Sequence, residues 1–285
     1  MKHTNLRTVL VGVCFLLLTF TSSYANDDEK LLILLIGDST TEGLTPRNSQ
    51  PEGPHLEQIV ANLLACEDGV PAAEVINLGK GGETAASIFN TNRYAEEVAP
   101  YIERDVDYIF VRYGINDWYR LGQDVDSISR QFPKDLRYLF ERIAVDFPEA
   151  ELVPMTVIPY MPERNTEIIN NLIKSVVSEK QLPLFDIFEP YYKFNQEQGV
   201  NSLTVREMDL DKIPAKYHSM LESRIVHYTW GNKIYSKVVS DDNELDALLG
   251  EYEGWYSDRH PNLAGYNLIG KYTVEYILND LSSKK

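Results

Sequence analysis

A serine hydroxyl becomes an effective nucleophile only when a neighbouring base takes its proton. This sequence carries a candidate pair for that chemistry at opposite ends of the chain. Ser39 closes Gly37-Asp38-Ser39, directly after the apolar run Leu31-Leu32-Ile33-Leu34-Leu35-Ile36. His260 lies in Ser257-Asp258-Arg259-His260-Pro261-Asn262, just ahead of the last amphipathic stretch. Such a pair can support acyl transfer through a covalent serine adduct, provided that hydrogen-bond donors are fixed where an oxyanion develops. Two further segments offer those donors. Asn77-Leu78-Gly79-Lys80-Gly81-Gly82-Glu83-Thr84 has glycines that let backbone N–H groups approach a ligand, and Gly114-Ile115-Asn116-Asp117 offers the Asn116 amide.

These groups need a frame that gathers residues 39, 82, 116 and 260. Short apolar runs predict strands over Leu31–Ile36, Glu74–Leu78, Tyr108–Tyr113, Glu151–Thr156 and Leu184–Asp186. Amphipathic stretches predict helices over His55–Ala65, Val125–Asp146, Thr166–Glu179 and Leu263–Leu281. Continuous apolar strands separated by helices imply a parallel sheet covered on both faces. Ligands of such sheets bind at the carboxyl ends of the strands, where Ser39, Gly82 and Asn116 all fall. Residues from about 190 to 254 break the rhythm and are rich in aromatic side chains, among them Tyr191, Tyr217, Tyr228, Trp230 and Tyr235. They read as an insertion before the last helix, beside the site, within a single domain spanning 26–285. Its aromatic residues are expected first as a small core and second as a binding platform.

In this order the four blocks resemble those of the SGNH (GDSL-type) hydrolase superfamily, over about residues 31 to 281. Gly37-Asp38-Ser39 is similar to its first block, Asn77 to Gly82 to its second, Gly114 to Asp117 to its third and His260-Pro261-Asn262 to its last. The resemblance implies an α/β fold, a three-layer α/β/α sandwich around a five-stranded parallel sheet, with ester hydrolysis by a Ser–His–Asp triad. Carried over by position, Ser39 is the nucleophile and His260 the base. The Ser39 and Gly82 N–H groups and the Asn116 side chain become oxyanion donors. Gly82 is preferred to Gly79 or Gly81 by its distance from Asn77. The last block departs from the pattern, because the family usually reads Asp-x-x-His where this chain has Ser257. Serine can orient an imidazole but gives the imidazolium no full countercharge. Asp258 carries the charge one residue closer to the ring. It is the expected acid, with a Ser–His dyad and a more distant acid as the alternatives.

Other polar residues have plainer readings. Asp38 is expected to bond loop N–H groups, and Arg112 with Asp117 to form an ion pair bracing the third block. The glycines of 79–82 have neither the P-loop nor the GxGxxG spacing of a phosphate cradle. His55 and His227 read as packing or surface histidines.

Residues 1–25 read as a secretory signal, with Lys2 and Arg7 in a basic start, an apolar stretch from Thr8 to Phe20 and Ser23-Tyr24-Ala25 as a cleavage site. An uncleaved anchor is the alternative. Secretion or a periplasmic location is therefore expected, without stable membrane insertion. Removing Lys2 and Arg7 leaves 25 Lys+Arg against 43 Asp+Glu, a formal charge of −18. Such a surface disfavours nucleic acid and anionic lipid as partners. Cys66 is then the single cysteine, so no intrachain disulfide can form. The histidines come without CxxC or HExxH spacing, and no metal or other cofactor is expected.

The resemblance extends to secreted carbohydrate O-acetylesterases. Tyr and Trp rings suit sugar faces, and a tight oxyanion pocket suits a short acyl group. The expected substrate is an acylated oligo- or polysaccharide. A lysophospholipase or short-chain arylesterase is the competing enzyme, and a non-catalytic carbohydrate-binding protein the competing class. Gly37-Asp38-Ser39-Thr40 is also similar to pectin-type acetylesterases, and Arg47, Arg112 or Arg259 are the candidates for a locally positive cleft.

Overall fold

The computed structural model describes residues 30–199, 201–230 and 232–284. The expected signal, residues 1–25, lies outside the described residues. Strands β1 (Leu31–Gly37), β2 (Ala73–Gly79), β3 (Tyr108–Arg112) and β4 (Glu151–Pro154) form a parallel sheet in the order β2-β1-β3-β4. The expected fifth strand is reduced to one parallel bridge, Met155 to Phe185. Pro183 has no N–H to extend the ladder, and Ile187 N already turns back to Phe185 O at 3.1 Å. Four strands and a bridge therefore replace the five strands expected, within the same three layers.

Side-chain alternation along β1 builds both outer layers. Leu32, Leu34 and Ile36 enter one core, with Phe132, Leu136 and Ile169 from the helices Val125–Asp146 and Glu163–Lys180. Leu31, Ile33 and Leu35 enter the other, with Ile59 and Ile269 from the helices Leu56–Leu64 and Leu263–Ser283. Chain direction across the sheet reverses between β1 and β3, which opens a crevice at their carboxyl ends.

Tyr191, in the helix Phe188–Gln198, packs with the second of these cores. Beyond it, β5 (Arg206–Asp209), β6 (Ile225–Trp230) and β7 (Lys233–Ser240) form a separate antiparallel sheet in the order β5-β7-β6. Met208 and Val238 pack from this sheet onto Leu221, Leu249 and Trp255, a small core of its own. Among the described residues no helix is long and apolar enough to cross a membrane.

Candidate active site

Each candidate side chain is set by the end of a strand. β1 stops at Gly37, where any side chain is excluded: an added Cβ would lie 2.3 Å from Thr41 Oγ1 and 2.6 Å from Arg112 O. The chain turns there into the one-turn helix Ser39–Glu42. Asp38 caps it, accepting from Thr40 N at 2.9 Å and Thr40 Oγ1 at 2.7 Å. Ser39 is thereby held in the first turn, and its Oγ lies 2.8 Å from His260 Nε2.

His260 arrives from the far end of the chain on a loop pinned by the segment leading into the inserted sheet. Val205 N donates to His260 O at 2.9 Å, Asn262 N donates to Leu203 O at 3.0 Å, and Thr204 bridges Pro261. Asn262 then caps the C-terminal helix by accepting from Gly265 N at 2.9 Å. Asp258 Oδ1 accepts from both His260 N, at 2.8 Å, and His260 Nδ1, at 2.7 Å. The tight loop thus compensates for the short spacing. Ser257 Oγ instead donates to Gly254 O at 2.7 Å, so the ring's partner is the aspartate. With Nδ1–H directed at Asp258, the Nε2 lone pair faces the Ser39 hydroxyl.

Tyr160 touches the ring from the side, with centroids 5.1 Å apart, planes at 83° and its hydroxyl 3.4 Å from Nδ1. Sequence reasoning passed over it, although it follows β4 at the carboxyl edge where site residues collect. Burial works against a charged His260, but the Asp258 hydrogen bond and charge, with added charge from Asp38 and Glu207, outweigh it. The imidazole pKa is raised. Burial likewise opposes the Asp258 carboxylate, but its bonds to His260 hold its pKa below the usual range.

The glycine segment after β2 resolves which N–H is free. Gly79 N donates to Asn77 Oδ1 at 2.9 Å, and Gly81 N to Glu42 Oε2 at 2.7 Å. Gly82, at φ +75°, has no acceptor for its N–H among the described residues, and neither has Ser39. The loop lies beside the serine, since a Cβ added to Gly81 would be 3.9 Å from Ser39 Cβ. Asn116 Nδ2 donates one hydrogen to Glu83 O at 3.0 Å and keeps the other available.

Two expectations change. Arg112 and Asp117 form no ion pair: Arg112 Nη2 donates to Thr40 O at 2.5 Å, and Asp117 Oδ1 accepts from Ala85 N at 3.1 Å. Both brace loops, separately. Thr40 is fully buried against Asp38, so it offers nothing to a substrate. The arginines do not gather into a positive cleft either. Arg47 is held by both oxygens of Glu57 at 2.7 Å, Arg112 is buried, and Arg259 reaches Asn201 at 3.0 Å. Asp38 and the two histidines keep their plainer roles, with His55 capping the helix Leu56–Leu64 and His227 exposed beside Ser236.

A serine hydroxyl, an imidazole and a carboxylate in one hydrogen-bonded line, with unengaged donors beside them, form an arrangement suited to acyl transfer. Residues 35–203 match the GDSL-like lipase/acylhydrolase family, and the chain belongs to it. The match takes in Ser39, Gly82 and Asn116 and ends before His260. No curated protein is significantly similar to the sequence. Among solved structures, an acetylxylan esterase from Geobacillus stearothermophilus is 17% identical, over 86% of this chain and 93% of its own, with a TM-score of 0.53. An α/β hydrolase enzyme from the metagenome of Lake Arreo, Spain, is 16% identical, over 86% and 94%, also at 0.53. At these identities the likeness establishes a shared fold.

Proposed function

We propose that this protein is a serine esterase that removes short acyl groups, acetyl above all, from carbohydrate. The observation that carries the reading is the continuous hydrogen-bonded line Ser39 Oγ–His260 Nε2, His260 Nδ1–Asp258 Oδ1. In the proposed reaction Ser39 Oγ attacks the ester carbonyl and its proton passes to Nε2. The Ser39 and Gly82 N–H groups and Asn116 Nδ2 hold the oxyanion. His260 then returns the proton to the departing sugar hydroxyl, leaving an acyl-serine. Water, deprotonated by the same nitrogen, hydrolyses it to the free acid. Asp258 stays ionised throughout and stabilises the imidazolium.

The carbohydrate part of the reading is supported by the cleft beside His260, whose lining includes Tyr228, Tyr235 and Lys237. Hydroxylated ligands suit such a lining better than an alkyl chain does. The acetylxylan esterase of similar fold points the same way. The signal-like residues 1–25 accord with action outside the cytoplasm.

Wild-type protein is expected to release acetate from acetylated oligosaccharides and to prefer p-nitrophenyl acetate to the octanoate. It is also expected to label with a fluorophosphonate. Ser39→Ala should lose both turnover and labelling. Retained turnover in that variant would remove the assignment, and octanoate preference would move it to lipid esters.

A further inference from the structure

The inserted sheet has two chemically different faces. Period-two alternation sends Met208 and Val238 to its own buried core. The opposite face collects Glu207, Asp209, Tyr228, Tyr235 and Lys237: Asp209 pairs with Lys237 across β5 and β7, and Tyr228 with Tyr235 across β6 and β7. All five line one cleft of about 520 Å³, and Asp258 and His260 lie at the same cleft. The facing wall is the segment just after the nucleophile, including Leu44 and Asn48. Ser49 Oγ donates to Asp241 at 2.6 Å, tying that wall to the end of the inserted sheet.

The charges on this face are unequal. Lys237 is held in an ion pair by Glu207, and its Nζ lies 5.8 Å from the Tyr228 ring centroid. Asp209, paired with Lys212 at 3.2 Å, is a second carboxylate, and Asp258 a third. A carboxylate on the ligand would meet three carboxylates against two lysines, both of them already paired, among the described residues. Arg120, which donates to Gly82 O at 3.3 Å, lies outside this cleft. Arg259 opens onto another cleft, of about 480 Å³, on which Tyr160 and Tyr192 also lie.

We propose that the cleft face of the inserted sheet is the sugar subsite of this enzyme, with the Tyr228–Tyr235 pair covering the ring and the Glu207–Lys237–Asp209 row restricting it to uncharged sugars. The proposal rests on the esterase reading and adds a substrate class to it, neutral acetylated glycans as opposed to acetylated uronates. Tyrosine rings give a sugar an apolar face to rest on, and the carboxylates accept its hydroxyls.

The test compares release of acetate from acetylated xylo-oligosaccharides and acetylated oligogalacturonides, with p-nitrophenyl acetate as the small reference ester. The wild type should favour the neutral substrate in kcat/KM by about tenfold or more, and Tyr235→Ala should lower the ratio of xylo-oligosaccharide to reference ester by about tenfold. Tyr235→Phe keeps the ring and should restore that ratio, while Glu207→Gln, which frees Lys237, should narrow the gap between neutral and uronate substrates. Tyr138→Ala, on an exposed helix position, is the neutral control. Equal or better turnover of the uronate ester, or an unchanged ratio in Tyr235→Ala, overturns the subsite and leaves the esterase standing. Calorimetry of the same oligosaccharides on Ser39→Ala separates the two ideas further. Neutral-sugar binding that Tyr235→Ala weakens keeps the subsite, and if the wild type itself releases no acetate that result removes the esterase alone; absence of such binding removes the subsite.

Discussion

One oxygen of Asp258 holds both the backbone N–H and the Nδ1 of His260, at 2.8 and 2.7 Å. A residue two positions from the ring can do this only because the loop folds back on itself. The contact selects the tautomer that presents a lone pair to Ser39. Asp258→Asn should therefore reduce kcat by about 10³–10⁴, in line with loss of a triad aspartate elsewhere. Ser257→Ala removes only a turn bond to Gly254 O and should leave kcat within about twofold. Steady-state kinetics on one ester compares the two. Equal losses would remove Asp258 as the acid and leave the dyad or a more distant acid.

The proton balance of His260 has a readable consequence. General-base action needs the neutral ring, and Asp258 raises its pKa above the ordinary 6.5. The acidic limb of kcat/KM, which reports the free enzyme, should accordingly lie above 6.5. Glu207→Gln takes away one of the charges that favour the imidazolium, so the limb should move to lower pH. A pH–rate profile of wild type and variant checks the direction. A limb that rises in pH, or does not move, contradicts the electrostatic account.

Asn116 is expected to act through the hydrogen it does not give to Glu83. Asn116→Ala should cost about 10²–10³ in kcat with little change in KM, as for other single oxyanion donors. Because Asn116 also anchors Glu83 O, thermal unfolding of the variant should be measured alongside. A large fall in KM-limited binding with kcat intact would place the side chain on the substrate instead.

Asp117 gives a stability prediction. Burial pushes its pKa up to about 8 from the usual 3.8, and Oδ2 has no partner among the described residues. Between those values the folded chain keeps a proton that the unfolded chain has released. Stability should fall as pH rises through that window, by at most about 1.4 kcal/mol per pH unit for this group, and level off above it. Asp117→Asn retains an acceptor for Ala85 N–H and cannot ionise. Its melting temperature should exceed that of the wild type at pH 8, with the difference shrinking toward pH 5. A wild-type advantage at pH 8 would show that the carboxylate is stabilised by other means.

Much of this architecture is written in local pattern. The helix Val125–Asp146 coincides with its hydrophobic period, and β1 with its apolar run, because both bury their faces whatever the rest of the chain does. Ser39, Gly82 and Asn116 were legible because each follows a strand that carries it to the sheet edge. The fifth strand was not, because its pairing depends on how Pro183 and the following helix compete for the same backbone.

Sequence alone therefore determined the hydrolase blocks, the parallel frame and the candidates Ser39 and His260, which the fold brings within 2.8 Å. Tertiary structure decided what sequence spacing cannot express. Which carboxylate meets His260 depends on the curl of one loop, and which glycine N–H is free depends on where Asn77 and Glu42 reach. The position of Tyr228 and Tyr235 beside that pair depends on a sheet folding back across residues more than 180 positions from Ser39. Each is a long-range contact whose partners carry no mark of one another in the local pattern, and only packing of the whole chain brings them together.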